Sequence, residues 1–280
     1  MNYHQLHRDW QSELQATYGK EEVTALLKLT LEHYLKIEPV RLRLLDQLPS
    51  EVIPKITAVK DKLAQQQPIQ YILGTTAFCE LQLNVGPGVL IPRPETEELV
   101  HWILQEQDVQ PLKVVDLCTG SGAIALALKA ARPAWELTAV ELSKEALVIA
   151  NENAEQLDLA VDFIAADVLQ DELSGGPYDV MVSNPPYVRD SERSLMQTNV
   201  LEHEPEMALF VSDTDPFLFY KRIAALAAKH LKPGGSLYLE INEYLSKELL
   251  TALAPFGFAM DLRQDSYLKD RMLKCQKKSK

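Results

Sequence analysis

From Lys113 onward, short apolar runs alternate with helical segments, and this alternation constrains the fold more than any other feature of the chain. The runs fall at 113–117, 136–142, 161–165, 178–183 and 236–241, and helical patterns open near Gly122, Ser143, Asp215 and Leu245. Runs this short and this apolar are strands covered on both faces, so the pattern predicts an α/β fold with a mainly parallel, doubly covered sheet. Residues 256–262 and 272–276 supply two further strand candidates.

The first seventy or so residues are different. Val23, Leu26, Leu27, Thr30, Leu31, Tyr34 and Leu35 recur at helical steps and give one apolar face. A second set, Val52, Ile56, Val59 and Leu63, follows Pro49-Ser50, with Ser50 expected as its N-cap. After Pro68, the stretch 78–85 alternates Leu81, Leu83 and Val85 with Glu80, Gln82 and Asn84. Alternation predicts a half-exposed strand, with Gly74 and Gly86-Pro87-Gly88 as turns. The expected organisation is a helical domain over 1–72, a connecting hairpin over 73–90 and a larger domain over 91–280. Across that boundary, Leu90-Ile91-Pro92-Arg93-Pro94-Glu95-Thr96-Glu97-Glu98 opens a helix, and its acids suit a helix N-terminus.

Composition excludes several classes. With 280 residues, 46% hydrophobic and 24% charged, the chain is an ordinary globular sequence. It has no apolar run of about 18 residues, the length a membrane span needs. Met1 to Gln5 shows neither a basic nor an apolar leader segment. Cys79, Cys118 and Cys275 lie far apart, and the six histidines (4, 7, 33, 101, 203 and 230) have no ligand spacing, so no metal is expected. The expected compartment is the reducing cytoplasm. A net charge of −12 argues against stable binding of long nucleic acid. The terminal Lys277-Lys278-Ser279-Lys280 is expected to be a solvated tail.

The chemistry gathers at the expected strand ends. The first strand runs through Asp116 into Cys118-Thr119-Gly120-Ser121-Gly122, small residues that let backbone approach a ligand, or simply make a tight turn. The second strand ends at Glu141, 21 residues after Gly120, where a carboxylate accepts from ribose hydroxyls or else caps the helix at Ser143. The third ends in Asp167-Val168, an acid for an adenine amino group and an apolar side chain for its ring. The fourth ends in Asn184-Pro185-Pro186-Tyr187; two prolines cannot extend a ladder, so the chain must leave the sheet at Asn184.

These four ends together resemble the class I S-adenosylmethionine-dependent methyltransferases, and Asn184 to Tyr187 resembles the amino-methyltransferase signature. The order Pro68 to Gly74, Leu90 to Glu97, Asp116 to Gly122, Ser183 to Tyr187, Glu204-Pro205 to Leu209 and Asp213 to Arg222 is similar to that of release factor glutamine methyltransferases, over residues 68–275. The resemblance implies a Rossmann-like, seven-stranded mixed sheet with a small N-terminal helical domain for substrate docking. It implies S-adenosyl-L-methionine as cofactor, S-adenosyl-L-homocysteine as product, and class I peptide chain release factors as protein substrates of a monomeric enzyme. The implied cofactor residues are Asp116, Cys118, Thr119, Gly120, Ser121, Gly122, Glu141, Asp167, Val168 and Asn184. Catalysis falls to Asn184, Pro185 and Tyr187, and substrate contacts to these three with Pro186, Arg93, Pro94 and Glu95; Arg93 is equally readable as an ion-pair partner.

Methyl transfer to a glutamine amide nitrogen must overcome delocalisation of its lone pair. Asn184 Oδ1 and the Pro185 carbonyl are expected to accept the two N–H bonds, with Tyr187 packed on the amide plane. Pro186 keeps residue 185 out of the helical region and its carbonyl available. Two sites depart from the family pattern, Cys118 at a usual glycine and Ile241-Asn242-Glu243 at a frequent glycine, and Glu141 where aspartate is commoner is a milder change. The rival activity is an adenine-N6 or guanine-N2 methyltransferase acting on nucleic acid, which must neutralise phosphates and reach an unpaired base. A cofactor-binding domain without turnover is the non-catalytic alternative.

Overall fold

Helical periodicity at the N-terminus becomes a packed set of helices. In the computed structural model, which describes residues 1–37 and 47–279, α1 (Tyr3–Tyr18) opens on a capping box in which Asn2 Oδ1 accepts from Gln5 N–H at 2.9 Å. It buries Tyr3, Leu6, Trp10 and Leu14 at three- and four-residue steps. They pack with Val23, Leu26, Leu27 and Leu31 of α2 (Lys20–Leu35) and with Ile56, Val59 and Leu63 of α3 (Ile53–Ala64). Each such side chain, fully buried, contributes roughly 1.5–3 kcal/mol. The part of the expected helical region at 38–46, and Lys280 of the tail, lie outside the described residues.

Ser50 is not the expected cap. The α3 helix starts after Val52, with Pro54 in its first turn and no side-chain cap. A proline there has its φ preset and lacks the N–H a cap would satisfy, so the N-cap shifts two residues along, from Ser50 to Val52. The expected strand over 78–85 is also corrected. Residues Ile69–Leu73 form a short helix (α4) closed by Gly74 at φ 75°, and the hairpin is β1 (Thr75–Phe78) with β2 (Leu81–Asn84). Its turn is Cys79-Glu80, both left-handed at φ 46° and 65°. Two-residue hairpin turns want positive φ twice and usually advertise it with Asn or Gly, so this one leaves no sequence signal.

Contacts divide the chain into two units, Met1–Thr75 with Gln197–His203, and Thr76–Met196 with Glu204 onward. In the second, α5 (Pro94–Glu106), β3 (Lys113–Leu117), α6 (Ala123–Ala131), β4 (Glu136–Glu141), α7 (Lys144–Leu157), β5 (Asp162–Ala165) and β6 (Tyr178–Ser183) follow in turn. Next come β7 (Val188–Arg189), α8 (Thr198–His203, clustered with the first unit), β8 (Phe210–Val211), α9 (Leu218–His230), β9 (Leu231–Glu240), α10 (Ser246–Leu253), β10 (Ala259–Gln264) and β11 (Asp270–Gln276). The sheet order is β10-β11-β9-β6-β3-β4-β5. Pairing is parallel from β9 to β5 and antiparallel at β11 and β10, the seven-stranded mixed sheet expected.

Side-chain alternation along the strands fills two cores. Val114, Val180, Val182 and Tyr238 face one layer, where Trp102 of α5 meets Tyr238 edge to face at 5.4 Å. Val115, Leu117, Met181, Leu237 and Leu239 face the other, against α9 and α10. Strand order reverses beside β3: β4 and β5 lie on one side and β6 on the other, which opens a crevice at the carboxyl ends of the strands. Among the described residues no helix is long and apolar enough to cross a membrane, and no group of three or more His, Cys, Asp or Glu could hold a metal.

Candidate active site

Register brings the motif-bearing strand ends level. Leu117 pairs with both Val140 and Ser183, Glu141 pairs with Ala165, and Ser183 pairs with Leu239. The loops leaving these positions surround one crevice enclosing about 1070 Å³ of empty space, solvent at its mouth included. Its walls take Cys118 to Ser121 from the first loop, Glu141, Leu142, Asp167 and Val168 from the next two, and Asn184 and Pro186 from the fourth.

The glycine loop is held from behind. Asp116 is fully buried and does not line the crevice; its Oδ2 accepts from Thr119 Oγ1 at 2.5 Å and from Ala125 N–H at 3.3 Å, while Oδ1 has no partner among the described residues. Burial, reinforced by the Glu141 charge, pushes its carboxyl up to about 7 despite those two hydrogen bonds. Gly120 at φ 57° faces open space, so its backbone leaves room where a Cβ would stand. Gly122 at φ 81° does not line the crevice; a Cβ there would meet Leu126 Cδ1 at 3.1 Å and Ala150 and Phe163 at 3.4 Å, which fixes α6 against the sheet. Cys118 holds φ 61°, in the left-handed region that glycine adopts without strain. Burial and the charges of Glu141 and Asp116 drive its thiol upward, so it carries no nucleophilic thiolate.

Glu141 is both cap and wall. Oε1 accepts from Leu142 and Ser143 N–H, each at 2.9 Å, and Oε2 accepts from Gly120 N–H at 2.9 Å. One lone pair on Oε2 remains for a ligand hydroxyl. Asp167 accepts from Leu169 N–H at 2.8 Å and from Gln170 Nε2 at 2.9 Å, one bond on each oxygen, and so keeps acceptor capacity beside the buried Val168. Phe219 closes this apolar side.

At the exit of β6, Asn184 Nδ2 donates to Thr96 Oγ1 at 3.2 Å, and Thr96 Oγ1 donates to Glu240 Oε2 at 2.6 Å. Tyr187 hydroxyl donates to Glu240 Oε1 at 2.9 Å. The Glu240 carboxyl is pushed up by burial, opposed by the bonds from Thr96 and Tyr187. Tyr187, expected on the substrate amide, is not among the crevice-lining residues; its ring packs against the second core and its phenol is driven well up, chiefly by burial. Pro185 is buried and is not among the crevice-lining residues, and its carbonyl accepts no hydrogen bond from the described residues. Asn242, the departure from glycine, ties this loop down: Nδ2 donates to the Tyr187 carbonyl at 3.1 Å and to Glu192 Oε2 at 2.9 Å.

Of the Arg93-Pro94-Glu95 segment, only Arg93 lines the crevice, and it is an ion-pair partner there. Its Nη2 pairs with Glu204 Oε1 at 2.6 Å, and Glu204 Oε2 accepts from Ile91 N–H at 3.1 Å. Pro94 is exposed at the first turn of α5, and Glu95 lies outside the crevice wall, because the helix rotates both away from Thr96. Thr96 and Glu240 went unnoticed in the sequence. Glu240 had a usable signal: it is an acid at the carboxyl end of an apolar strand, as Glu141 is.

A doubly wound sheet in which one strand, β11, runs against all the others, with a crevice at the reversal of strand order, defines the class I methyltransferase fold. Two solved structures share it: a methyltransferase from Pyrococcus furiosus (TM-score 0.53, 17% identical, 82% of this chain and 100% of that one) and a Thermus thermophilus 16S rRNA N2 G1207 methyltransferase in complex with AdoMet and guanosine (TM-score 0.54, 19% identical, 73% and 50%). At these identities they speak to fold alone. The family model described as Methyltransferase small domain matches residues 95–209, and that described as PrmC N-terminal domain matches residues 5–74. The release factor glutamine methyltransferase of Flavobacterium psychrophilum is 40% identical over 268 residues, 93% of this chain and 94% of its own. That of Bacteroides thetaiotaomicron is 41% identical over 271 residues, 93% and 95%. The chain belongs to the release factor glutamine methyltransferase family.

Proposed function

We propose that this chain transfers a methyl group from S-adenosyl-L-methionine to the side-chain amide nitrogen (N5) of the glutamine in the Gly-Gly-Gln motif of class I peptide chain release factors. One observation carries the reading: Asn184 and Pro186 line the crevice where the fourth strand ends, and neither Asn184 Oδ1 nor the carbonyl of Pro185 between them accepts a hydrogen bond from the described residues. A primary amide presents two N–H bonds in one plane, and two fixed acceptors match them. Holding both N–H bonds positions the nitrogen and stabilises the positive charge that develops on it. When bound, the cofactor supplies an electrophilic sulfonium methyl group.

The residues around the crevice fit that cofactor. Glu141 Oε2 keeps a lone pair for a ribose hydroxyl, Asp167 keeps acceptors for an exocyclic amine, Val168 and Phe219 offer apolar faces, and Gly120 leaves space for close approach. Asp116 and Gly122 act from behind, by shaping the loop. Arg93, fixed by Glu204, borders the substrate side. No base is required at the nitrogen, since the proton becomes acidic once the methyl is attached and leaves to solvent. The N-terminal helical unit serves as the docking module for the release factor.

The test offers labelled S-adenosylmethionine with a release factor, its Gly-Gly-Gln→Gly-Gly-Ala variant, and bulk RNA and DNA. Label on the wild-type factor alone is expected; label on nucleic acid would instead assign the site to a base amine. Asn184→Ala should lower kcat about 10²–10³-fold with cofactor affinity nearly unchanged, and normal turnover in that variant would remove Asn184 from the chemistry.

A further inference from the structure

Asn184 is useful as an acceptor only if its amide is turned so that Oδ1, not Nδ2, faces the substrate. Packing alone does not decide this, because the two ends of an amide are nearly the same size. What decides it lies on two other elements. Glu240 ends β9, one residue beyond Leu239, the register partner of Ser183, and so stands beside Asn184. Thr96 sits in the first turn of α5. Both are buried, at 1% and 4% exposure.

We propose that Glu240 and Thr96 form a one-way hydrogen-bond relay that sets the orientation of the Asn184 amide, and that they are positioning residues for methyl transfer. Burial raises the Glu240 carboxyl, but the Thr96 and Tyr187 hydrogen bonds and the Arg271 charge favour its ionised form, in which both oxygens only accept hydrogen bonds. Glu240 therefore obliges Thr96 to spend its single hydroxyl proton on Oε2, at 2.6 Å. The Thr96 oxygen then has only lone pairs to offer its other partner, and Asn184 must meet it with Nδ2, at 3.2 Å. Oδ1 is left for the substrate. The other carboxylate oxygen takes the Tyr187 hydroxyl at 2.9 Å, so one buried acid polarises the relay and anchors the far end of the same loop. The opposite orientation would set Asn184 Oδ1 against a lone pair and present a donor to an amide that also needs acceptors.

This inference rests on the proposed amide substrate for its kinetic consequence but not for its structural content, and the two fail separately. Thr96→Val keeps the shape and removes the hydroxyl; Thr96→Ser keeps the hydroxyl. Thr96→Val should lower kcat about 10–100-fold, with S-adenosylhomocysteine affinity within about twofold of wild type by calorimetry, and Thr96→Ser should restore kcat to within about threefold. Glu240→Gln, which supplies a donor where the relay needs an acceptor, should lower kcat while the cofactor still binds. Independently of any substrate, the Asn184 side-chain amide resonance, assigned by its loss in Asn184→Asp, should be shifted and exchange-protected in wild type and Thr96→Ser but not in Thr96→Val. A Thr96→Val enzyme with wild-type kcat and an unchanged amide signal would overturn the relay. So would Thr96→Ser failing as badly as Thr96→Val, since shape would then be the cause. Absence of label on release factor from the wild-type enzyme, with the amide signature intact, would refute the substrate and leave the relay standing.

Discussion

Gly120 and Gly122 stand two residues apart in one loop, both with positive φ, yet alanine should affect them differently. At Gly122 the new methyl meets Leu126 Cδ1 at 3.1 Å and Ala150 and Phe163 at 3.4 Å. Left-handed backbone costs an alanine roughly 1–2 kcal/mol, and overpacking at the junction of α6, α7 and β5 adds about 1–3 kcal/mol. Gly122→Ala should therefore lose about 2–5 kcal/mol, a drop of roughly 5–15 °C in Tm for a unit of this size. At Gly120 the methyl meets nothing within 4 Å, so only the backbone term applies. That methyl stands instead where Gly120 borders the crevice, and it should weaken S-adenosylhomocysteine binding about tenfold or more, since displacing a fitted ligand costs at least about 1.4 kcal/mol. Thermal melts read the first effect and titration calorimetry the second. If Gly120→Ala bound S-adenosylhomocysteine like wild type, the loop would not be the cofactor cradle. Equal Tm losses in the two variants would refute the steric account of Gly122.

Asp116 should make stability fall with rising pH. Its folded-state pKa lies at about 7 against 3.8 for the free side chain, so between these values the native protein holds a proton that the unfolded chain has released. Stability from this group is fully present below about pH 4 and is lost as pH rises towards 7, up to about 4 kcal/mol by linkage. Asp116→Asn should thus gain on wild type in urea melts between pH 5 and pH 8; a gap that does not widen across that range would show an ordinary carboxyl. Cys118→Gly relieves left-handed strain at φ 61° and should hold or gain about 1 kcal/mol in Tm experiments while methyl transfer continues. A loss of kcat greater than about tenfold would mean that the thiol takes part after all.

Local chemistry settled much of this protein. Apolar runs bounded by small residues located β3 and β6, helix periodicity predicted the buried faces of α2 and α3, and acids or Asn-Pro-Pro-Tyr after the runs marked the ends that meet at the crevice. Such signals survive in one dimension because side-chain period and backbone restriction are set within a few residues. Where local rules carry no mark, they misled: the Cys79-Glu80 turn, the N-cap of α3 at Val52 rather than Ser50, and the exposed Pro94. Other features belong to tertiary structure alone. The Asn184–Thr96 and Thr96–Glu240 bonds span 88 and 144 residues of sequence, and Arg93–Glu204 spans 111. No periodicity encodes those separations. They exist because parallel pairing puts the end of β9 beside the end of β6, with the first turn of α5 against both, and only that folded arrangement decides which way the Asn184 amide faces.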